Sequence, residues 1–489
     1  MSVDPRTPVL VGVAAVRQRV DEPGGGRDAL ELMADAAEAA GHDSGAADLL
    51  GALDMVLIPR GMWGQGDPGR RIADRFGASK ARTLVAELGV LQQTLLTRAA
   101  AGIAAGNEDV VLVVGAEAAY RDRRLRGTGL PPIHQPLPPI EPDVSLRPTG
   151  DILHRVEIDR GLPVPVRQYA ILESALRHDE GLSLDEHAAD VAALWSKFAD
   201  RAVGNPDAWH RRAVAPEAIA EASPANPMLS RPYTRSHCSR AGVDQGAALI
   251  LCSAEAAERF GVPRDRWVFP WAAAESNLMV PIVARAQLHR SPGFAAVGSW
   301  LSAYTGVAPA DAKYLDLYSC FPAAVRIQRA ELGLGGRDDL TVTGGMSFAG
   351  GPLNSYVLHS TVSMAKTLRE DPDAVGVVTC ISGMVTKQAG MVWSGTPTAT
   401  PFHGEDLSSR TAEAATTCEI TPDYKGVGVV DGYTVVEGAS GPSKAIAVVG
   451  VPGGGRTVAA SEDMGVVAAF CTGEWVGKHV HVDGAALAL

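Results

Sequence analysis

Residues 85–117 read VAELGVLQQTLLTRAAAGIAAGNEDVVLVVGAE. This stretch predicts a helix after Gly89, followed by a buried strand within Asp109–Glu117. The preceding chain has apolar residues at helical spacing in Arg27–Ala40. Further short apolar runs predict strands at Thr7–Val13, Asp54–Ile58 and Arg82–Ala86. Strands that alternate with helices in this way are typical of a parallel, fully buried sheet covered by helices.

A weak internal repeat extends this organisation to the rest of the chain. The segment that begins at Gly89 and leads to the strand from Val110 has a counterpart that begins at Gly351 and leads to the strand Val375–Cys380. The spacing within the two segments is nearly equal, which predicts two related α/β halves.

The region between the halves predicts a helical excursion. Tyr169–Leu176 and Leu182–Ala199 have helical patterns, and Ser183 stands three residues before Glu186, as a capping box requires. Pro- and Arg-rich loops around residues 127–165 and 226–232 join this excursion to the sheet.

The sequence changes character after about residue 400. Val427–Val436, Lys444–Val451 and Lys478–Val482 are short β-rich segments separated by Gly- and Pro-containing turns, without helices of comparable length between them. They predict a separate small antiparallel barrel. The domain boundaries that follow are residues 1–120 and 230–265 for the first half, 121–229 for the helical loop domain, 266–400 for the second half and 405–489 for the barrel.

Composition limits the possible functions. The chain has 489 residues, 46% of them hydrophobic, and a formal net charge of −12. This charge argues against nucleic-acid or anionic-membrane binding, both of which depend on basic surfaces. The arginine-rich run Arg121–Arg126 favours a solvated face, and contact with the phosphates of a nucleotide is the alternative.

No apolar run has the length of a membrane span, and Met1–Arg6 lacks the basic and apolar parts of a signal peptide, so we expect a cytoplasmic protein. The six cysteines are widely scattered, which argues against a zinc site, and the pair His237 and Cys238 is interpreted as part of a loop.

Residues from about 5 to 400 resemble the thiolase superfamily. The similarity is greatest to the sterol-carrier-protein type of thiolase, through Tyr169–Trp209, Ala202–Pro206 and the Asp244–Leu249 segment that enters the second half. The resemblance implies a duplicated α/β thiolase fold of five layers, αβαβα, and an acetyl-CoA acetyltransferase-like activity in lipid metabolism. The order of segments in the C-terminal barrel resembles the oligonucleotide-binding (OB) type of barrel.

The catalytic positions of that family are replaced in this chain. Gly89 stands where a thiolase has its nucleophilic cysteine, and Gly351 stands in place of the histidine of the Gly-His-Pro motif. Tyr318, in the run Tyr318–Phe321, replaces the residue that helps to bind the thioester oxygen, and the Cys-x-Gly motif is partly kept as Cys380–Ser382. Because a nucleophile and its base act as a unit, ordinary thiolase turnover is not expected.

Three hypotheses remain open. The first is a protein that binds an acyl-CoA or another acyl thioester, with main-chain groups of Gly89 and Ser382 at the oxyanion position and with Ser319 and Phe321 beside the substrate. The second is an aldolase that cleaves a 3-hydroxyacyl-CoA with Tyr318, with Tyr356 one helical turn beyond the Gly350–Pro352 segment. The third is an acyltransferase that uses Cys380, although a cysteine at the end of a buried strand is usually inert.

The resemblance implies no covalently bound cofactor, with a coenzyme A thioester as the possible ligand. The partner is expected to be an acyl-CoA or a lipid-like small molecule. The chain is expected to be a homodimer or a monomer, since thiolases usually dimerise through the sheet of the first half.

Overall fold

A computed structural model of the protein describes residues 3–64, 66–126, 128 and 140–489. Gly127 and residues 129–139, which belong to the loop expected around residues 127–165, lie outside the described residues. The described residues form eighteen strands and fifteen α-helices.

The strands are β1 (Pro8–Gln18), β2 (Met55–Pro59), β3 (Arg82–Ala86), β4 (Val110–Ala118), β5 (Val144–Leu146), β6 (Met228–Ser230), β7 (Tyr233–Thr234), β8 (Asp244–Ser253), β9 (Phe269–Ser276), β10 (Tyr314–Asp316), β11 (Val375–Ser382), β12 (Lys387–Ser394), β13 (His403–Asp406), β14 (Lys425–Gly438), β15 (Gly441–Gly450), β16 (Arg456–Ser461), β17 (His479–Asp483) and β18 (Ala486–Ala488).

The helices are α1 (Ala29–Asp43), α2 (Pro68–Arg75), α3 (Gln92–Ala104), α4 (Ala119–Leu125), α5 (Arg155–Asp159), α6 (Pro165–Asp179), α7 (Leu184–Gly204), α8 (Pro216–Ala220), α9 (Ala254–Arg259), α10 (Pro292–Thr305), α11 (Pro322–Glu331), α12 (Gly345–Phe348), α13 (Tyr356–Glu370), α14 (Ser408–Ala414) and α15 (Met464–Thr472). Within the described part of the chain, none of them has the length and apolar character that crossing a membrane requires.

The first sheet has the strand order β1-β8-β4-β2-β3-β5. The neighbours β2 and β3, β2 and β4, and β3 and β5 are parallel, whereas β8 runs antiparallel to both β1 and β4. The expectation of a wholly parallel sheet was therefore wrong. The physical reason is that β8 enters the sheet after the helical excursion, and a connection of that length can return the chain to either end of the sheet.

The second sheet, β10-β11-β12-β9-β13, lies across a shared layer of helices. Helices α3 and α13 contact each other and both sheets, while α1 covers the outer face of the first sheet and α10 that of the second. The chain leads from α3 into β4 and from α13 into β11, as the internal repeat predicts. This arrangement of five layers confirms the fold class predicted from the sequence.

The helical excursion contacts both the second half and the C-terminal region. Helix α6 packs against α11 and against β14, and α7 begins at the predicted capping box of Ser183 and Glu186. Helix α6 carries the buried carboxylate of Glu173. This carboxylate accepts hydrogen bonds from His187 (3.0 Å), Arg326 (2.5 Å) and the hydroxyl of Tyr233. Burial opposes ionisation of Glu173, yet Arg326 and His187 hold its pKa at about 2.

The C-terminal region is a closed barrel of five strands in the order β14-β15-β16-β18-β17, with β17 returning to β14. The pair β16 and β18 is parallel, so the expectation of a purely antiparallel barrel was wrong in this respect. Helix α15, which the sequence analysis missed, connects β16 to β17 and packs Val467 and Phe470 into the barrel core. This helical connection brings the chain back so that β18 can lie parallel to β16.

The carboxylate of Asp316, at the end of β10, is fully buried and joins three segments of the second half. One oxygen, Oδ2, accepts hydrogen bonds from the backbone N–H groups and hydroxyls of the Thr341–Thr343 loop at 2.9 to 3.0 Å. The other, Oδ1, accepts from Tyr356 at 3.0 Å and Ser360 at 2.7 Å, both on α13. The strand that leads to Tyr318 is thereby fixed to the loop before α12 and to α13.

Replacing Asp316 by Ala should lower the free energy of unfolding by about 4 kcal/mol, because the Val342 N–H group would remain buried without an acceptor and four hydroxyl groups would each lose one hydrogen bond. Asp316→Asn keeps one oxygen and should cost roughly half as much, while Ser360→Ala removes one donor and should cost about 1 kcal/mol. Denaturant unfolding measures all three. A loss below about 1 kcal/mol for Asp316→Ala would show that this carboxylate does not organise the second half.

Candidate functional site

Two of the positions that the sequence analysis singled out, Gly89 and Ser382, meet beside the N-terminus of α3. Gly89 lies in the turn between β3 and α3, and Ser382 lies at the end of β11. The hydroxyl of Ser382 donates to the carbonyl oxygen of Gly89 at 3.0 Å. The same carbonyl oxygen accepts a short hydrogen bond from the ammonium group of Lys387, a buried residue at the start of β12. The structure thus places Gly89 and Ser382 together, and it adds a lysine that sequence reasoning missed.

The backbone at Gly89 has a φ of +98°, in the left-handed region that side-chain-bearing residues rarely adopt. A Cβ atom built there would lie 3.1 Å from Cγ and 3.2 Å from Cβ of Pro148. These distances are tighter than ordinary van der Waals contact. The ring of Pro148 therefore occupies the side from which a side chain at position 89 would extend.

The position of Gly351 is also filled by a neighbour. A Cβ atom at Gly351 would lie 2.2 Å from Oγ of Ser239, which no real side chain tolerates. The segment that carries Ser239 is held in place because its backbone N–H donates to Cys320 at 2.9 Å and because Gly351 N–H donates to the carbonyl oxygen of Arg240 at 3.0 Å. A histidine side chain at position 351 would require Ser239 to move.

Tyr318 is buried, and its ring packs edge-on against that of Tyr356, with ring centroids 5.8 Å apart. Burial raises the pKa of Tyr318 well above its ordinary value, with the nearby thiols of Cys320 and Cys380 adding to the effect. The hydroxyl of Tyr356 is bound to Thr343 (2.8 Å) and Asp316 (3.0 Å). Tyr356 therefore has a structural role in this arrangement. Tyr318 remains a neutral phenol at physiological pH.

Cys380 lies in β11 and has no exposed surface. Burial raises the pKa of its thiol to about 12, although backbone N–H groups of Gln93 and Gln92 at the start of α3 oppose the shift. A thiol of this kind is almost wholly protonated at neutral pH, and only the thiolate is a good nucleophile.

The two remaining residues of the predicted site pack in the interior. Oγ of Ser319 accepts a hydrogen bond from Met346 N–H at 3.0 Å and so anchors α12. The ring of Phe321 stacks on that of Tyr169 with centroids 4.5 Å apart, and the Tyr169 hydroxyl donates to the carbonyl oxygen of Gly383 at 3.1 Å.

A cavity of about 400 Å³ lies beside the hairpin that joins β11 to β12. The cavity is lined by residues from the loop after β9, the start of α10, the β11–β12 hairpin and α14. The lining includes Leu278, Val280, Arg285, Pro292, Val385, Gln388 and Thr411. A second cavity of about 240 Å³ shares Ala286 and Gln287 with it and reaches Asp431 and Arg456 of the barrel.

Three side chains on the wall of the larger cavity have polar atoms without a hydrogen-bond partner among the described residues. Oε1 of Gln388 and Oγ1 of Thr411 are buried without a hydrogen bond. Arg285 donates through Nε to the carbonyl oxygen of Val280 at 3.1 Å, and its two terminal nitrogens have no hydrogen-bond partner among the described residues. Burial lowers the pKa of Arg285 to about 10, so it remains charged at neutral pH. Sequence reasoning did not find these residues, because each belongs to a different segment and none forms a motif.

Metal binding has no support in the part of the chain that the structure describes. No group of three or more His, Cys, Asp or Glu side chains is placed there to hold an ion.

Comparisons with known proteins agree with this architecture. No family model and no curated protein matches the chain. Among solved structures, a monomeric SCP2-thiolase like protein type 1 from Mycobacterium smegmatis is 28% identical, with 99% of this chain and 98% of that chain covered and a TM-score of 0.83.

Two further solved structures share the fold at lower identity. The Ltp2-ChsH2(DUF35) aldolase is 20% identical, covers 80% of this chain and 99% of its own, and has a TM-score of 0.58. The acetyl-CoA acetyltransferase from Syntrophomonas wolfei is 16% identical, covers 81% of this chain and 100% of its own, and also has a TM-score of 0.58. The predicted thiolase resemblance and fold class are confirmed.

Restoring a cysteine at position 89 should destabilise the protein. We expect Gly89→Cys to lower the free energy of unfolding by about 2 kcal/mol, because a left-handed backbone and the Pro148 ring both oppose the new side chain. Pro148→Ala serves as the matched single variant, and denaturant unfolding of both singles and the double gives the coupling between the two sites. If the double variant is no more stable than additivity predicts, Pro148 does not restrict the position.

Cys380 should resist alkylation in the folded protein. At pH 8 we expect iodoacetamide to modify the half-buried Cys418 and to leave Cys380 unmodified, because the Cys380 thiolate forms only as the pH approaches about 12. Peptide mass spectrometry measures each site, and unfolding in guanidinium should expose both thiols as a control. Modification of folded Cys380 as fast as Cys418 would contradict its burial.

Proposed function

We propose that this thiolase-superfamily protein binds an acyl thioester in the cavity beside the β11–β12 hairpin and does not transfer the acyl group. The observation that carries the proposal is a set of polar atoms without hydrogen-bond partners among the described residues on the wall of that cavity. They are the terminal nitrogens of Arg285, Oε1 of Gln388 and Oγ1 of Thr411. Buried polar groups without partners are costly, and a ligand that supplies the missing hydrogen bonds removes that cost.

The chemistry of the three groups fits an acyl thioester linked to a pantetheine chain. Arg285 and Thr411 can donate to a thioester carbonyl oxygen, and Oε1 of Gln388 can accept from a pantetheine amide N–H. The Nε2 atom of Gln388 donates to Val385 at 2.7 Å, which fixes Oε1 as the atom that needs a donor. The orientation of the Gln388 side-chain amide therefore decides that Gln388 accepts a hydrogen bond from the ligand.

The apolar wall suits the acyl chain. Leu278, Val280, Pro292 and Val385 line the same cavity, and a volume of about 400 Å³ is in the range of small-molecule sites. The adjoining cavity toward Asp431 and Arg456 offers further length for the ligand.

The absence of acyl transfer is supported by the reaction centre. Gly89 and Gly351 have no side chains, the neighbouring Pro148 and Ser239 occupy the adjacent space, and Cys380 is a buried thiol with a raised pKa. No side chain at these positions combines the nucleophilic and basic character that thiolase chemistry requires.

The alternatives from the sequence analysis have less support. An aldolase reaction through Tyr318 requires a phenol that exchanges protons near neutral pH, whereas burial raises the pKa of Tyr318. The aldolase neighbour is similar in fold at 20% identity. An acyltransferase reaction through Cys380 requires an accessible thiolate.

Binding should be detected by isothermal titration calorimetry with acyl-CoAs of short, medium and long chain length, with free coenzyme A as the reference. Thr411→Val should weaken acyl-CoA binding by about fivefold, the loss expected for one hydrogen bond. Thr457→Val is the matched control, because the Thr457 hydroxyl is also buried without a partner but does not line the cavity. Arg285→Met should weaken binding by at least about tenfold.

Three outcomes would overturn the proposal. They are no binding of any acyl-CoA, equal effects of Thr411→Val and Thr457→Val, or thiolysis of acetoacetyl-CoA by the wild-type protein. Release of an aldehyde or ketone from a 3-hydroxyacyl-CoA, lost in Tyr318→Phe, would favour the aldolase alternative instead.

A further inference from the structure

Five arginines from separate parts of the chain, four of them exposed, lie near one another or near His210 and form no ion pair among the described residues. We name Arg19, Arg123, Arg212, Arg235 and Arg240, together with His210, the arginine cluster. Within the described residues, none of the five guanidinium groups forms an ion pair or a hydrogen bond. This is unusual in a chain with 56 acidic and 44 basic residues, where acidic partners are in excess.

Two aromatic rings hold part of the arginine cluster. The guanidinium carbons of Arg19 and Arg123 each lie 5.5 Å from the ring centroid of Tyr120. Arg19 also lies 5.8 Å from the ring of Trp209, which packs edge-on against Tyr120 at 5.4 Å. Cation–π contacts of this kind restrict the guanidinium groups without neutralising them.

A short helix of the second half fixes the other side. His210 N–H donates to the carbonyl oxygen of Phe348 at 2.9 Å, and Arg240 N–H donates to that of Met346 at 3.0 Å. Gly242 follows Arg240, and a Cβ atom there would lie only 3.2 Å from Nη1 of Arg123. Helix α12 thus holds His210 and Arg240 beside the arginines of the first half.

Two polar atoms in the arginine cluster are buried without partners, Nε of Arg240 and Nε2 of His210. Burial lowers the pKa of Arg240, and the charges of Arg235, Arg123 and Arg19 lower it further. Burial, followed by the charges of Arg240, Arg19 and Arg212, lowers the pKa of His210 to about 4, so this side chain is neutral at physiological pH. Like charges at this distance repel one another, and a bound anion would remove the repulsion.

The carboxylate of Asp21 lies beside the Tyr120 ring of the arginine cluster. Asp21 accepts a short hydrogen bond from the hydroxyl of Tyr120, and its pKa is lowered by this bond and by the charges of Arg124 and Arg19. Asp21 contacts the hydroxyl of Tyr120 and forms no ion pair with Arg19. The guanidinium groups of the arginine cluster therefore remain available to a ligand.

We infer that the arginine cluster binds a small ligand that carries more than one phosphate group. Guanidinium groups match phosphate oxygens in geometry, several of them are needed to balance a multiply charged anion, and neutral His210 can supply an additional N–H donor. The recessed atoms of Arg240 and His210 favour a compact anion over an extended surface. The inference does not rest on the proposed acyl-thioester function.

The probes are inorganic pyrophosphate and the nucleotide portion of coenzyme A without its pantetheine arm. Calorimetry should show binding of at least one of them, with an affinity that falls as salt is added. Tighter binding of pyrophosphate would indicate that the natural ligand is a free polyphosphate. Tighter binding of the nucleotide would indicate that the phosphate groups belong to a nucleotide. No binding of either probe would overturn the inference.

Variants separate the arginine cluster from non-specific charge. Arg240→Gln should weaken pyrophosphate binding by at least about tenfold. Arg264→Gln is the matched control, because Arg264 also lies on an aromatic ring, 3.7 Å from that of Trp267, but pairs with Glu258. Equal losses in the two variants would overturn the inference, whereas the acyl-thioester variant Thr411→Val should bind pyrophosphate normally.

Two further measurements do not depend on Arg240. Arg212→Gln should raise the melting temperature of the unliganded protein, because a repelling charge is removed, and should weaken pyrophosphate binding. Pyrophosphate should raise the pKa of His210 above its unliganded value of about 4 in an NMR titration, since a nearby anion stabilises the imidazolium form. The inference would be contradicted if Arg212→Gln left the melting temperature unchanged and pyrophosphate left the pKa of His210 unchanged.

Discussion

The buried carboxylate of Asp316 is the constraint on which the geometry of the second half depends. It receives six hydrogen bonds, four on one oxygen and two on the other, from the Thr341–Thr343 loop and from α13. Burying a charge without partners would be very unfavourable, and this set of donors offsets that cost. Strand β10 leads directly to Tyr318, and the Thr341–Thr343 loop and α13 flank the Gly350–Pro352 segment. The Asp316 side chain therefore helps to position both Tyr318 and the Gly350–Pro352 segment. This framework is independent of the residues that thiolase chemistry would need, so the architecture can persist when they are replaced.

The replaced positions are packed and do not form a void. Pro148 lies against Gly89, and Ser239 lies where a side chain at Gly351 would extend. Both neighbours come from segments outside the thiolase motifs, Pro148 from the loop after β5 and Ser239 from the loop before β8. The space with partnerless polar groups lies instead on the other side of the β11–β12 hairpin, around Arg285, Gln388 and Thr411. The proposed ligand site is therefore separate from the position of Gly89.

Local patterns were sufficient to predict most of the framework. Apolar runs and helical spacing predicted β3 to the residue and the capping box that begins α7, because these features depend on neighbours in sequence. Strand direction is a property of the whole connection, which is why the antiparallel β8 and the parallel pairing of β16 with β18 were not foreseen. The apolar α15 lacks an amphipathic pattern, so the sequence analysis predicted no helix at this position. The arginine cluster could not be predicted either, since only Arg123 belongs to the run of arginines visible in the sequence.

The short strand β5 adds a constraint on assembly. It pairs with β3 from Leu84 opposite Val144 to Ala86 opposite Leu146, so it uses the backbone groups at the open edge of the first sheet. A partner chain that added its own strand to β3 would have to displace β5, whose three residues are too few to make a good new edge themselves. The resemblance to thiolases implied dimerisation through this sheet, whereas the similar protein from Mycobacterium smegmatis is described as monomeric. A covered β3 edge in this chain is consistent with a monomer.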